Sequence, residues 1–274
     1  MRTILFWNLA KSPSVLTHLE CLAWTYSVDV FVLAELSGDI GPMIRGLNQL
    51  RIGTYREEVN ATAKVRALTR LPGRDFIHRY TGLGRELATW TLVAPRLKPS
   101  EVLLAGVHLP SKVGGASEVD QASIVGEVIE ELGDLEDDRS HRNTILVGDF
   151  SMHPYDAGMT SVTGVHGLMT RKLAELPDRI HRSRPRRRFY NPMWGLFGDR
   201  TPGPAGSYYW RSSVLHNPHW AIFDQVLTRP ELIDCFMELR ILDDDGNHAL
   251  VGTDGAPDRD YLSDHLPIIF WLDV

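Results

Sequence analysis

Four short apolar runs in this 274-residue chain each end on a side chain suited to chemistry: ILFW in Asn8, VFVLA in Glu35, VLLAGV in His108 and ILVG in Asp149. Short unbroken apolar runs are the mark of strands buried on both faces, so each polar terminus stands where a strand leaves the core. A fifth run, LPIIFWL, begins just after Asp264 and His265. Neighbouring parallel strands would line the first four groups along one sheet edge, and an antiparallel last strand would start at that edge too. One polar residue at a strand end is ordinary. Several together point to a layered α/β chain that gathers them.

Apolar runs at 3–7, 29–34, 86–94, 101–107, 143–147, 220–228 and 266–272 read as strands. Helices are expected at 14–27 and 117–136, the second with Val119, Ala122, Val125, Ile129 and Leu132 along one face. Residues 165–206 are rich in Pro, Gly and Arg and read as one long elaborated loop within a single domain spanning 1–274. The opening MRTILFWNLA is too short in its apolar part for a signal peptide, and no run is long enough for a membrane-spanning helix. Cys21 and Cys235 lack the number and spacing of a disulfide framework or thiolate zinc site, so a soluble cytoplasmic protein is expected.

The net charge of −6 conceals a split: residues 165–229 carry 11 Lys+Arg against 4 Asp+Glu, and the remainder 18 against 31. Such a chain is suited to holding a metal in its acidic part and a phosphate-bearing substrate against the basic one.

The ordered elements FWNLA, VFVLAE, AGVHLPSK, ILVGDFSMHP, GSYYW with AIFDQVL, and YLSDHLPII resemble the endonuclease/exonuclease/phosphatase superfamily, the DNase I-like proteins, along the whole chain. The resemblance implies a four-layer α/β/β/α sandwich of two mixed β-sheets with the site at one end. It assigns metal binding to Asn8 and Glu35, shared by Asp264, pairs His265 with Asp224, and places His108 and Asp149 near the attacking water and the phosphate.

The chemistry asks for the same residue types. Phosphodiester hydrolysis needs negative charge neutralised and a water delivered in line. The carboxylates of Glu35 and Asp264 with the amide oxygen of Asn8 form a hard set favouring Mg²⁺ or Mn²⁺ over Zn²⁺. His265 moves a proton only if its ring is oriented, and Asp224 is the matching carboxylate. Asp149 and His265 both remain open as the formal base. Taken alone, Asp224 reads as a solvated strand-edge carboxylate and His108 as a satisfied core histidine, but the motif context assigns both to the site. His18, His153, His216 and His219 stand in no motif and are read as structural.

Where the superfamily usually has GDFN, this chain has GDFS. Ser151 offers one donor hydrogen in place of an amide's two, with Asn191 as a possible substitute. The stretch RIHRSRPRRRFYNPMWGLFGD, with Arg184, Arg186, Arg187 and Arg188 beside aromatic rings, is expected outside regular structure as a wall of the substrate groove; Tyr208 is expected with those arginines on the substrate, and at least one of Tyr208, Tyr209 and Trp210 is expected to support Asp224 and His265. A solvated basic face paired with the acidic remainder is the competing reading. The favoured function is a metal-dependent phosphodiesterase, a nuclease on DNA or RNA. The alternatives are a phosphatase or phosphodiesterase for a lipid head group or small phosphorylated metabolite, and a catalytically weakened binding module.

Overall fold

The apolar run that opens the chain becomes β1 (Arg2–Asn8), buried on both faces from Thr3 onward, and leads through α1 (Leu16–Tyr26) to the parallel β2 (Val30–Ala34). The computed structural model describes residues 1–58, 64–82, 84–212 and 218–274. After β2 come α2 (Gly41–Gln49), β3 (Arg56–Glu58), β4 (Val65–Thr69), β5 (Phe76–Thr81), β6 (Leu87–Val93), β7 (Glu101–His108), α3 (Glu118–Asp138) and β8 (Thr144–Asp149). Then follow α4 (Ala157–Thr160), β9 (Gly167–Leu168), α5 (Arg171–Ala174), β10 (Arg179–His181), β11 (Arg184–Arg186) and β12 (Phe189–Tyr190). The chain ends with β13 (Tyr208–Tyr209), β14 (Trp220–Ala221), β15 (Asp224–Thr228), β16 (Phe236–Ile241) and β17 (Ile268–Leu272).

Among the described residues, one mixed sheet has the order β16-β17-β1-β2-β4-β3 and the other β5-β6-β7-β8-β15-β12-β9. Side chains alternate along the central strands as a two-residue period demands. Ile145, Val147, Leu104 and Val226 point into the core shared with the first sheet, whereas Leu146, Leu103, Val107 and Leu227 face α3. Helices α1 and α2 cover the other face of the first sheet through Leu19, Leu22, Met43 and Leu47. The layers therefore run helix, sheet, sheet, helix. Gly106 lets the sheets approach, because a Cβ there would meet Val65 and Val32 methyls at 3.0 and 3.2 Å.

Helix α3 starts at a capping box in which Ser117 and Asp120 bond reciprocally. Its buried face is Gln121, Val125, Val128, Leu132 and Glu136, which differs from the expected stripe: Val119 is exposed. The stripe is shifted because Gln121 and Glu136 are buried polar residues: Glu136 pairs with arginines and Gln121 donates through its amide, as given below, while the Gln121 side-chain oxygen has no partner among the described residues. Residues 165–206 also depart from the expected irregular loop. β9 and β12 add to the second sheet, and β10 and β11 form a hairpin whose two-residue turn, Arg182 and Ser183, has φ of 48° and 62°.

Candidate active site

The register fixes the site. Asn8 pairs with Ala34, so Glu35 emerges beside it, while His108 pairs with Asp149 and Asp149 with Asp224. β17 runs antiparallel to β1, with Phe6 opposite Ile268, which returns Asp264 and His265 to the same end. The expected single sheet edge is thus replaced by two. Asn8, Glu35, Asp264 and His265 come from the first sheet, and His108, Asp149 and Asp224 from the second. The runs define strands locally, but the pairing that distributes them between sheets is long-range.

Asp149 is the hub. Its Oδ1 accepts from the Ser151 amide at 2.7 Å and the Ser151 hydroxyl at 3.3 Å, and its Oδ2 accepts from Asn8 Nδ2 at 2.9 Å. Gly148 precedes it because any Cβ at that position would lie 2.0 Å from the Val107 carbonyl oxygen. Oδ2 also faces Nε2 of His108 and Nε2 of His265, each 3.9 Å away. An oxygen about 2.8 Å from both members fits beside either pair.

His265 is held from several sides. Its Nδ1 donates to Asp224 Oδ2 at 2.8 Å, its backbone N–H to Ser263 Oγ at 3.0 Å, and its carbonyl accepts from Trp7 Nε1 at 2.9 Å. Ser263 in turn donates to the Asn8 carbonyl at 2.7 Å, tying the strand ends together. Tyr208 lies against the imidazole with ring centroids 4.7 Å apart and stacks on Phe223. Burial pushes the Asp224 carboxyl up to about 6 despite the adjacent imidazolium. Burial also opposes charge on His265, but Asp224, Asp149 and Asp264 outweigh it and raise that group to about 10. The pair is therefore ionic at neutral pH.

Glu35 Oε1 lies 3.5 Å from His108 Nε2, and Asp264 Oδ1 lies 3.9 Å from His265 Nε2. These two half-exposed carboxylates open on a cleft of about 870 Å³. Two hard acids at its mouth, accompanied by imidazoles and no thiolate, fit Mg²⁺ or Mn²⁺. Asn8, expected as a ligand, donates its amide to Asp149 at 2.9 Å and accepts the Ala10 amide on its oxygen at 3.0 Å, which leaves that oxygen a second lone pair. Asp149, Asp224 and His265 also bring ligand atoms within 4.8 Å of one another; the Asp224–His265 pair occupies Oδ2 of Asp224, while its buried Oδ1 has no hydrogen-bond partner among the described residues.

The cleft also contains residues that were given no substrate or catalytic role from the sequence, several of them inside the quoted elements. Trp210, Trp220, Phe223 and His153 form an aromatic side, and Lys64 and Lys112 a cationic rim. His153 stacks on Tyr155 at 4.8 Å, and burial lowers its pKa. The signal for it was its position two residues after Ser151. Gln121 donates to the carbonyls of Pro110 at 2.9 Å and Ser151 at 3.0 Å, fixing the turn that carries Ser151. His219 also lines the cleft, His18 bonds Asp245, and His216 lies outside the described residues.

The arginines are placed elsewhere. Arg187 pairs with Glu136 at 2.7 Å and with Asp137, Arg186 with Glu130 at 3.1 Å, and Arg188 donates to the Leu176 carbonyl, while Arg184 is exposed on the hairpin. Fully buried Arg229 bonds the same Glu136 at 2.8 Å and lies over Phe189. Arg229 follows β15, whose first residue is Asp224, so about 17 Å of strand separates this cluster from the site. Arg184, Arg186, Arg187 and Arg188 do not line the cleft; Tyr208 does. Asn191 does not line the cleft: it is buried, donates to Gln225 at 2.8 Å, whose amide in turn reaches the Met152 carbonyl at 2.7 Å, and caps the following turn through Met193 N.

No family model and no curated protein sequence matches the chain. Solved structures do. The 3′ phosphatase NExo from Neisseria, bound to a product DNA hairpin, shares 14% identity over 100% of both chains with a TM-score of 0.58. An AP endonuclease from Archaeoglobus fulgidus shares 12% over 100% of both chains, also at 0.58. An endonuclease/exonuclease/phosphatase family protein from Leptotrichia buccalis shares 10%, again over both whole chains at 0.58. The layers, the strand order and these likenesses together give the chain the DNase I-like fold of the endonuclease/exonuclease/phosphatase superfamily.

Proposed function

We propose that this chain is a divalent-metal-dependent phosphodiester hydrolase that cuts nucleic acid. The observation that carries the reading is an arc of alternating acids and imidazoles, Glu35, His108, Asp149, His265 and Asp264, with successive separations of 3.5, 3.9, 3.9 and 3.9 Å. Asp149 Oδ2 can take the proton of an attacking water, because the amides of Asn8 and Ser151 fix the plane of its carboxylate. His265, held as a cation by Asp224, is placed to donate to a phosphate oxygen as negative charge builds there. His108 supplies a second donor on the opposite flank. A bound Mg²⁺ or Mn²⁺, held by Glu35 and Asp264, would neutralise phosphate charge.

The aromatic side formed by Trp210, Trp220 and Phe223 suits stacked bases, and NExo, one of the fold neighbours, holds a product DNA hairpin. One observation favours a second reading, a small phosphoester: the arginine cluster lies away from the cleft, leaving Lys64 and Lys112 as the cations on its rim. The test is incubation of pure protein with single- and double-stranded DNA, RNA and a chromogenic phosphodiester, in Mg²⁺, Mn²⁺ or EDTA. Metal-dependent cleavage of the polymers that Asp149→Asn lowers at least about a thousandfold supports the proposal. Turnover of the small ester alone supports the second reading, and binding without turnover identifies a non-catalytic module.

A further inference from the structure

Outside the cleft, a second group of ligand-type side chains converges where the loop after β16 meets α1. Asp245 is completely buried. Its Oδ1 accepts the backbone amides of Asn247 at 2.8 Å and His248 at 2.7 Å. Its Oδ2 faces two imidazoles, with Nδ1 of His18 at 2.7 Å and Nδ1 of His248 at 3.3 Å, and all three ligand atoms lie within 4.8 Å of one another. The carboxylate cannot swing away. Its backbone N–H bonds the His248 carbonyl at 3.0 Å, its carbonyl accepts from Thr25 Oγ1 at 3.0 Å, and Gly246 packs on Thr25 so closely that a Cβ would lie 2.4 Å from that hydroxyl oxygen.

We propose that His18, Asp245 and His248 form a transition-metal site, suited to Zn²⁺, that fastens this loop to α1. Tetrahedral zinc with ligands at 2.0–2.1 Å places neighbouring donor atoms about 3.3 Å apart. The His248 contact already has that spacing, and the His18 contact widens by about 0.6 Å when a metal replaces the shared proton. Two imidazoles and one carboxylate select Zn²⁺, Ni²⁺ or Cu²⁺ over Mg²⁺ and Ca²⁺, the opposite preference to the oxygen donors of the cleft. The two rings meet edge to face, with centroids 5.7 Å apart. His248 is solvent-exposed, leaving a path of entry and room for a water as fourth ligand. The loop runs on to Tyr261, whose carbonyl accepts from Ser12, and then directly into Ser263, Asp264 and His265. A metal at its base would therefore hold the segment that delivers the catalytic pair.

The test is titration of metal-free full-length protein with ZnCl₂ by calorimetry, in a Glu35→Gln/Asp149→Asn background that removes carboxylates of the cleft. One Zn²⁺ is expected per chain, with no Mg²⁺ uptake at the same concentration and a rise in Tm on binding. His248→Ala, a change at an exposed side chain, and His18→Gln should each weaken Zn²⁺ at least about tenfold and abolish the rise in Tm. CoCl₂ should give the visible absorption of a tetrahedral site, lost in His248→Ala. Absence of Zn²⁺ uptake, or uptake indifferent to both histidine variants, overturns the proposal.

Discussion

Ser151→Asn tests how the site is tuned, because the serine hydroxyl is occupied within the protein. Its contacts are long, 3.3 Å to Asp149 Oδ1 and 3.4 Å to the Leu109 carbonyl, so it holds the aspartate weakly and keeps no strong donor for a phosphate. The firm support of Asp149 comes from the Ser151 backbone amide at 2.7 Å, which any residue preserves. The backbone at 151 has φ of 49°, a left-handed conformation that asparagine adopts more readily than serine. An asparagine there keeps the turn and carries an amide with two donor hydrogens toward the cleft. A donor aimed at developing charge is worth about 3–4 kcal/mol, so the ceiling is a rise in kcat of about a hundredfold to a thousandfold, and the floor is no change. Ser151→Ala, by contrast, loses one donor hydrogen shared between two long contacts and should lower kcat less than about tenfold. The assay is steady-state hydrolysis of a phosphodiester in Mg²⁺, with Tm measured in parallel. A fall in kcat of tenfold or more for Ser151→Asn at unchanged Tm would refute this reasoning and make the hydroxyl itself the tuned element.

Glu136→Ala strands the buried Arg229 and should destabilise the protein by about 3–5 kcal/mol in equilibrium denaturation, with kcat/KM for the proposed hydrolysis unchanged in the folded protein. Substrate binding should follow the cleft and not the arginine cluster: Trp210→Ala should raise KM for a nucleic-acid strand by roughly fivefold or more, while Arg184→Ala leaves it unaltered and the salt slope shallow. The reverse pattern would return the arginines to the substrate. The pH dependence of the metal-free protein follows from His265, raised from its ordinary 6.5 to about 10. The folded state binds the extra proton, so the stabilisation is complete below about 6.5 and is lost as pH rises through 10. This window lies above the value near 6 of Asp224. Between pH 7 and 10 in EDTA, Tm should fall, and Asp224→Asn should flatten that fall; equal slopes for both proteins would contradict it.

The strands that carry the site were legible because they are buried on both faces. β1, β2, β7 and β8 appear as unbroken apolar runs within a residue or two of their observed ends, and Asn8, His108 and Asp149 close three of them. Elements that face water on one side left no such trace. β16 reads FMELRI with Met237 exposed, β5 reads FIHRYT with one buried residue, and α2 contains Gly and Pro. Partner choice was equally hidden. Arg187 and Arg229 share Glu136, which lies on α3 many residues earlier, and nothing local to an arginine-rich run distinguishes a phosphate from a buried glutamate.

The same limit explains why a single sheet edge was expected where two exist, and the structure shows what the division achieves. Glu35 and Ser151 are the first residues to take left-handed conformations after the parallel strands β2 and β8, with φ of 49° at both. Neither is glycine, so each turn carries strain of about 1–3 kcal/mol that the surrounding bonds must offset. At Ser151 they are the amide bond to Asp149 and the Gln121 bond to its carbonyl; at Glu35 the Lys11 amide donates to its carbonyl at 3.1 Å. The turn at Glu35 brings its carboxylate out from the first sheet, the turn at Ser151 returns an amide to Asp149 on the second, and the hydrogen bond from Asn8 to Asp149 joins the two sheets at 2.9 Å. A single flat edge would spread these side chains along a line at strand spacing, about 4.8 Å apart, without enclosing a phosphate. Two facing edges close them into the arc from Glu35 to Asp264, which is why the sandwich, and not either sheet alone, is the unit that makes the site.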